Sequence, residues 1–109
     1  MTRITHGLVI GKFYPPHTGH RVLIQRAARQ CKRVTVIVMA ASHESIRLGD
    51  RVDWMREIHR EDRGVQVLGA IDDVPVDYAD PDIWRQHVSI MQQALSEAGA
   101  PAVDAVFTS

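Results

Sequence analysis

The chain has 109 residues, enough for one domain of ordinary size and no more. Thirteen lysines and arginines balance thirteen aspartates and glutamates, which excludes the basic excess of a general nucleic-acid binder. The single cysteine, Cys31, excludes a disulfide framework and a cysteine-rich metal site.

The N-terminus, Met1 to His6, lacks the apolar core of a secretory signal. No apolar stretch approaches the ~20 residues of a membrane span, so a cytoplasmic protein with no membrane partner is expected. Leu8 to Ile10 is continuously apolar and reads as a buried parallel strand. Thr18 is placed to cap a first helix running to about Gln30, with Leu23, Ala27 and Cys31 on its apolar face. Val34 to Met39, rich in β-branched residues, is the clearest strand. A polar loop, Ala41 to Gly49, follows. Asp50 then caps a second helix with Val52, Met55 and Ile58 on one face.

Val65 to Leu68 reads as a third strand and Asp72 to Asp80 as an acidic loop. Asp80-Pro81 starts a third helix, whose apolar stripe is Trp84, Val88, Met91 and Leu95 and whose stop is Gly99. Val103 to Thr108 reads as a fourth strand. Strands and helices alternate, which predicts an α/β fold with a parallel sheet and helices on both faces. Ligands of such sheets sit beyond the carboxyl ends of the strands. The Gly11–His20 turn, the Ala41–Gly49 loop, the Asp72–Asp80 loop and Ser109 all fall at that edge.

The turn between the first strand and the first helix, Gly11-Lys12-Phe13-Tyr14-Pro15-Pro16-His17-Thr18-Gly19-His20, carries the most chemistry. A helix start offers unpaired N–H groups and a positive dipole end to a phosphate. The two histidines add directional donors, and Gly19 lets a flat base or ribose approach the backbone. The alternative is a turn with two surface histidines.

This stretch resembles the signature of the nucleotidyltransferase superfamily, G-x-F-x-P-x-H-x-G-H, at every specified position: Gly11, Phe13, Pro15, His17, Gly19 and His20. With Leu23 to Ala27, Asp50-Arg51-Val52, Trp54, Ile83-Trp84 and Phe107-Thr108-Ser109, the chain resembles the nicotinamide-mononucleotide adenylyltransferase domain of NadR-type proteins. Ser45-Ile46-Arg47 and Trp84 are also similar to the archaeal adenylyltransferases for that substrate. The resemblance implies a Rossmann-like nucleotidyltransferase fold. It also implies transfer of AMP from ATP to nicotinamide mononucleotide, giving NAD and pyrophosphate, with Mg2+ accompanying ATP. A second phosphate motif of the superfamily, a Ser/Thr-rich turn followed by arginine, is expected beyond Ser109. The chain therefore reads as the N-terminal part of one domain, cut after the fourth strand, and in NadR-type proteins a kinase domain follows.

By the same resemblance His17 and His20 are the catalytic residues, contacting the ATP phosphates. Gly11, Lys12, Phe13, Gly19 and Ser109 complete the ATP site, with Phe13 and Pro15 shaping the turn. Lys12, Arg47 and Trp84 are expected to bind the nicotinamide nucleotide, Arg51 being second choice for its phosphate. A cationic nicotinamide ring suits an indole face, although Trp84 on an apolar stripe also reads as core. Lys12 reads equally as a solvent-facing lysine. Asp82 and His87, which flank Trp84, are weaker candidates for orienting the substrate. Trp54 reads as core, and His6, His43 and His59 as incidental. No protein-held metal site is expected, since magnesium prefers oxygen ligands. The expected partners are ATP and nicotinamide mononucleotide; no nucleic acid is expected at this domain, and a homo-oligomer is compatible with it. Competing readings of the signature are a phosphopantetheine adenylyltransferase, a cytidylyltransferase for an alcohol phosphate, and a non-catalytic module sensing nicotinamide nucleotides.

Overall fold

The computed structural model describes residues 3–77 and 79–108. In chain order the elements are β1 (Ile4–Gly11), α1 (Thr18–Gln30), β2 (Cys31–Ala40), α2 (Leu48–Ile58), β3 (Val65–Ile71), α3 (Pro81–Glu97) and β4 (Ala105–Phe107). The strands form one sheet in the order β3-β2-β1-β4, and every pairing is parallel. Each carboxyl end therefore lies at the same edge. Gly11 pairs with Val38 and Val38 with Gly69, which brings the ends of β1, β2 and β3 level.

Both faces of the sheet are covered, as the alternation predicts. On one face α1 and α2 bury Ile24, Ala27, Val52 and Met55 against Val9, Val36, Val38 and Val67. On the other, α3 buries Met91 against Leu8, Ile37 and Met39, flanked by Ile90, Ala94 and Leu95. Ile24, Val36 and Ile37 have no exposed surface, and each such side chain contributes about 1.5–3 kcal/mol.

Several boundaries differ from the sequence expectation, each for a physical reason. β1 starts at Ile4 rather than Leu8 because His6, fully buried, is satisfied sideways. One ring nitrogen lies 2.7 Å from Thr35 Oγ1 and the other 3.0 Å from the Pro101 carbonyl. His6 is thus a structural pin, not an incidental residue. His59 is also buried, its Nδ1 2.7 Å from the Asp62 carboxylate. Cys31 is not on a helix face: α1 passes directly into β2, and Cys31 is the first strand residue, with burial pushing its thiol pKa up. Trp54 is not core; it is 45% exposed on α2. Val103 and Asp104 precede β4 rather than belonging to it. The Asp80 cap, Pro81 at the helix start and Gly99 after its end are as expected. Asp80 accepts from the Asp82 N–H at 2.9 Å, and Gly99 has φ +66.

Candidate functional site

The signature residues are explained first by one another. The cap of α1 is His17, not Thr18, which is the first helical residue. The His20 N–H donates to His17 Nδ1 at 3.4 Å, and the His17 N–H donates to His20 Nδ1 at 3.1 Å. This is a capping box built from two imidazoles. The rings stack, with centroids 3.6 Å apart and planes 19° from parallel. Because each Nδ1 accepts, each neutral ring carries its proton on Nε2, and each keeps one N–H donor for a ligand. Burial, and then His17 beside it, push the His20 imidazole below the usual histidine range, favouring that neutral donor form.

The glycines make room for these rings. A Cβ on Gly19 would lie 3.0 Å from His17 Cε1, and one on Gly11 would lie 3.1 Å from the Phe13 ring. Gly19 therefore serves the His17 ring before it serves any ligand. Phe13 is 2% exposed, turns with φ +48, and supports His20 edge-on at 4.6 Å. Its ring is core, which leaves only its backbone open to a ligand.

A second network locks this turn to the β2–α2 loop. Arg51, with no exposed surface, donates to the Ile46 carbonyl at 2.6 Å, the Lys12 carbonyl at 3.2 Å and Glu44 Oε1 at 3.0 Å. Its guanidinium lies 4.3 Å over the Tyr14 ring. The Tyr14 hydroxyl in turn accepts the Ser45 N–H at 2.8 Å and bonds Ser45 Oγ at 2.6 Å. Arg51 thus spends its donors internally and is an organiser of the two loops, not a second phosphate ligand. Lys12 pairs with Glu44 Oε2 at 2.8 Å while remaining half exposed. Burial raises the Glu44 carboxyl, but Lys12, the Ala41 N–H and Arg51 together outweigh it and hold the pKa at about 2.

Beyond the end of β1 lies a largely apolar cavity of about 260 Å³, on the α3 face. Ile10, Gly11 and Lys12 form one side, Val74, Val76 and Asp77 another, and Trp84, His87 and Met91 of α3 a third. Trp84 is 56% exposed, so its indole is a surface available to a ligand and not a core side chain. A separate cleft of about 270 Å³ is lined by Pro16, His17, Thr18, Arg21 and Ile58. The first half of the signature turn borders one cavity and the second half borders the other. The two histidines and the indole are therefore not in one pocket; the Gly11–His17 turn stands between them.

Lys12 and Trp84 come together at the first cavity, and His17, Gly19 and His20 at the start of α1. Arg47 does not join Trp84: it is the exposed cap of α2 and makes no side-chain capping bond, the expected Asp50 cap lying inside the first turn. Asp82 is exposed, pairs with Arg85, and does not line the cavity. Ser109 lies outside the described residues. Glu44, Tyr14 and Asp72 organise the site and were not singled out from sequence; their position at strand ends was the available signal. Among the described residues no three His, Cys, Asp or Glu side chains are grouped to hold a metal ion. The edge carboxylates are engaged: Glu44 by Arg51 and Lys12, Asp72 by His87, and Asp73 by Ser42. Likewise, no helix among the described residues is long and apolar enough to cross a membrane.

A doubly covered parallel sheet, with a histidine-capped helix start at its carboxyl edge, is the architecture of a nucleotide-binding α/β domain. The chain belongs to the cytidylyltransferase-like family, which matches residues 8–98. It is 26% identical over 117 aligned positions to the trifunctional NAD biosynthesis/regulator protein NadR of Escherichia coli, covering 96% of this chain and 28% of that protein. It is 30% identical over 73 positions to NadR of Salmonella typhimurium, covering 56% and 18%. The chain thus spans less than a third of the length of these relatives. Its fold is similar to that of NadR solved with NAD and AMP-PNP, at a TM-score of 0.72 and 18% identity over 95% of this chain and 31% of that one. It is also similar to a bifunctional NMN adenylyltransferase/ADP ribose pyrophosphatase of Francisella tularensis, at 0.64 and 15%, over 94% and 31%.

Proposed function

We propose that this domain transfers the AMP moiety of ATP to nicotinamide mononucleotide, giving NAD and pyrophosphate. The observation that carries the reading is the exposed Trp84 indole beside an apolar cavity that also takes in Lys12. A cationic pyridinium ring favours such an indole face, and the ammonium suits the attached phosphate. The functions named for the NadR relatives, and the ligands of the NadR structures, support the same choice.

In this reading ATP lies with its phosphates at the start of α1. An oxygen of the mononucleotide phosphate, already largely a dianion at neutral pH, attacks the α-phosphorus. A new P–O bond forms there and the bond to the bridging oxygen of pyrophosphate breaks, the electron pair leaving with pyrophosphate. No general base is required. The chain's task is to bring two anions together and to meet the charge that develops. The Nε2–H groups of His17 and His20 supply donors, the first N–H groups of α1 supply more, and Lys12 can leave Glu44 for a phosphate while Arg51 keeps Glu44 compensated. Magnesium is expected to arrive with ATP, held by its phosphate oxygens.

Turnover by the full-length protein with nicotinamide mononucleotide and ATP, compared with phosphopantetheine and ATP and with glycerol phosphate and CTP, tests the reading. The first pair is expected to be fastest; faster turnover of either other pair overturns it.

A further inference from the structure

His87 has no part in the transfer described above, yet it borders the cavity one turn beyond Trp84. Both its ring nitrogens face acceptors of the β3–α3 loop, Nδ1 the Asp72 carboxylate and Nε2 the Pro75 carbonyl at 3.1 Å, and the ring donates to both together as an imidazolium, with an N–H on each nitrogen. Neither nitrogen is left for a ligand. The His87 side chain is only 15% exposed and that of Asp72 6%. Asp72 is fixed to the sheet, its N–H donating to the Ala40 carbonyl at 2.9 Å, and it accepts the Val74 N–H at 2.9 Å. Beyond it the loop is thinly held. Among the hydrogen bonds of the described residues, the one from His87 to Pro75 is the single tie between Val74–Asp77 and another element. That stretch carries Val74 and Val76, which line the cavity together with Trp84 and Met91 of α3.

We propose that His87 is a positioning residue of the acceptor cavity. By tying Pro75 down to α3 it sets the gap between the Val74/Val76 wall and the Trp84 indole, the slot that takes the ring. The Asp72 carboxylate orients the imidazole so that its other nitrogen meets Pro75. The proposal rests on the cavity being the acceptor site, but the loop measurement below does not.

The test uses the chain with three substitutions. His87→Ala removes both bonds; His87→Asn keeps an N–H near the Nδ1 position only; His87→Gln keeps one near the Nε2 position only. Backbone order parameters at Val74, Val76 and Asp77 are expected to fall toward the flexible range, below about 0.6, in His87→Ala and His87→Asn and to stay high in His87→Gln. Nicotinamide mononucleotide affinity, read from Trp84 fluorescence, should drop about tenfold in the first two, since the loop must then be ordered on binding. ATP affinity should stay within about twofold in all three, as for a site with no shared partners. Unchanged loop order in all three variants overturns the proposal, and so does ATP binding that weakens in parallel with the acceptor. If the unsubstituted chain binds no mononucleotide, the proposed function fails, and the order parameters alone decide whether His87 holds the loop.

Discussion

At the residue scale the site is a set of donors whose protonation is fixed by their neighbours. His20 Nδ1 accepts a backbone N–H and the ring is held toward the neutral form, which leaves its Nε2–H as the donor that the proposed reaction would use against developing charge. In the full-length protein His20→Ala should lower kcat by roughly 10²–10³, the range for one preorganised donor, while ATP affinity changes little. Steady-state kinetics check this; a raised KM for ATP with kcat retained would make His20 a ground-state ligand. Glu44 offers a pH test. Its pKa is about 2 in the folded chain against 4.5 ordinarily, so the unfolded chain binds its proton first. Its contribution is complete above about pH 4.5 and is lost as pH falls toward 2. Glu44→Gln should flatten the stability profile in that window. At neutral pH it should cost about 1–3 kcal/mol, the penalty for an unmatched buried partner. Chemical denaturation at several pH values reads both effects. The signature histidines were legible because their spacing is tied to a helix start; Glu44 was not, because its partners Lys12 and Arg51 meet it only through the fold.

At the element scale, α2 and α3 carry the two arguments that sequence left open. An apolar stripe made Trp84 look like core as much as like a ligand platform. Of that stripe only Met91 is buried, packed against Leu8, Ile37 and Met39; Val88 and Leu95 are half-buried, and Trp84 stands in solvent. Trp84→Ala should therefore weaken mononucleotide binding by about 1–2 kcal/mol with little change in Tm. A thermal melt beside a titration separates this from the ~3–5 kcal/mol loss of a core aromatic. α2 behaves in the opposite way. Its Arg51, second choice after Arg47 for the phosphate, is fully buried between the two loops. Arg51→Met should cost about 3–5 kcal/mol, the range for breaking a buried charged network, with the change read as a shift of the denaturation midpoint.

For the whole molecule, the two cavities flank one turn, and that separation has a measurable consequence. Loss of mononucleotide affinity from Trp84→Ala should be the same in the His20→Ala background, to within about 0.3–0.5 kcal/mol, because the two side chains share no partner. Calorimetric titration of the single and double variants checks this, and a larger coupling would mean that the turn transmits strain between the sites. The balanced charge of the chain, thirteen of each sign, adds no long-range field to draw in polyanions. In the proposed reaction the phosphates would then be met by the local donors of the turn and helix start.

Much of this architecture was decided by local sequence. Hydrophobic patterning placed the strands and helices, Asp80-Pro81 and Gly99 bounded α3, and the spacing Gly11 to His20 marked the signature turn, all through residues close in the chain. Which side chains found one another decided the rest. His17 displaced Thr18 as the cap because the His20 ring could return the bond. Arg51 became an internal strut because Tyr14, Lys12, Glu44 and Ile46 surround it. The cavity beside Trp84 forms where parallel pairing brings the ends of β1, β2 and β3 level. Short-range backbone preference and periodicity are written in the order of residues; which buried polar group finds which partner is settled only when the sheet closes and each must be satisfied.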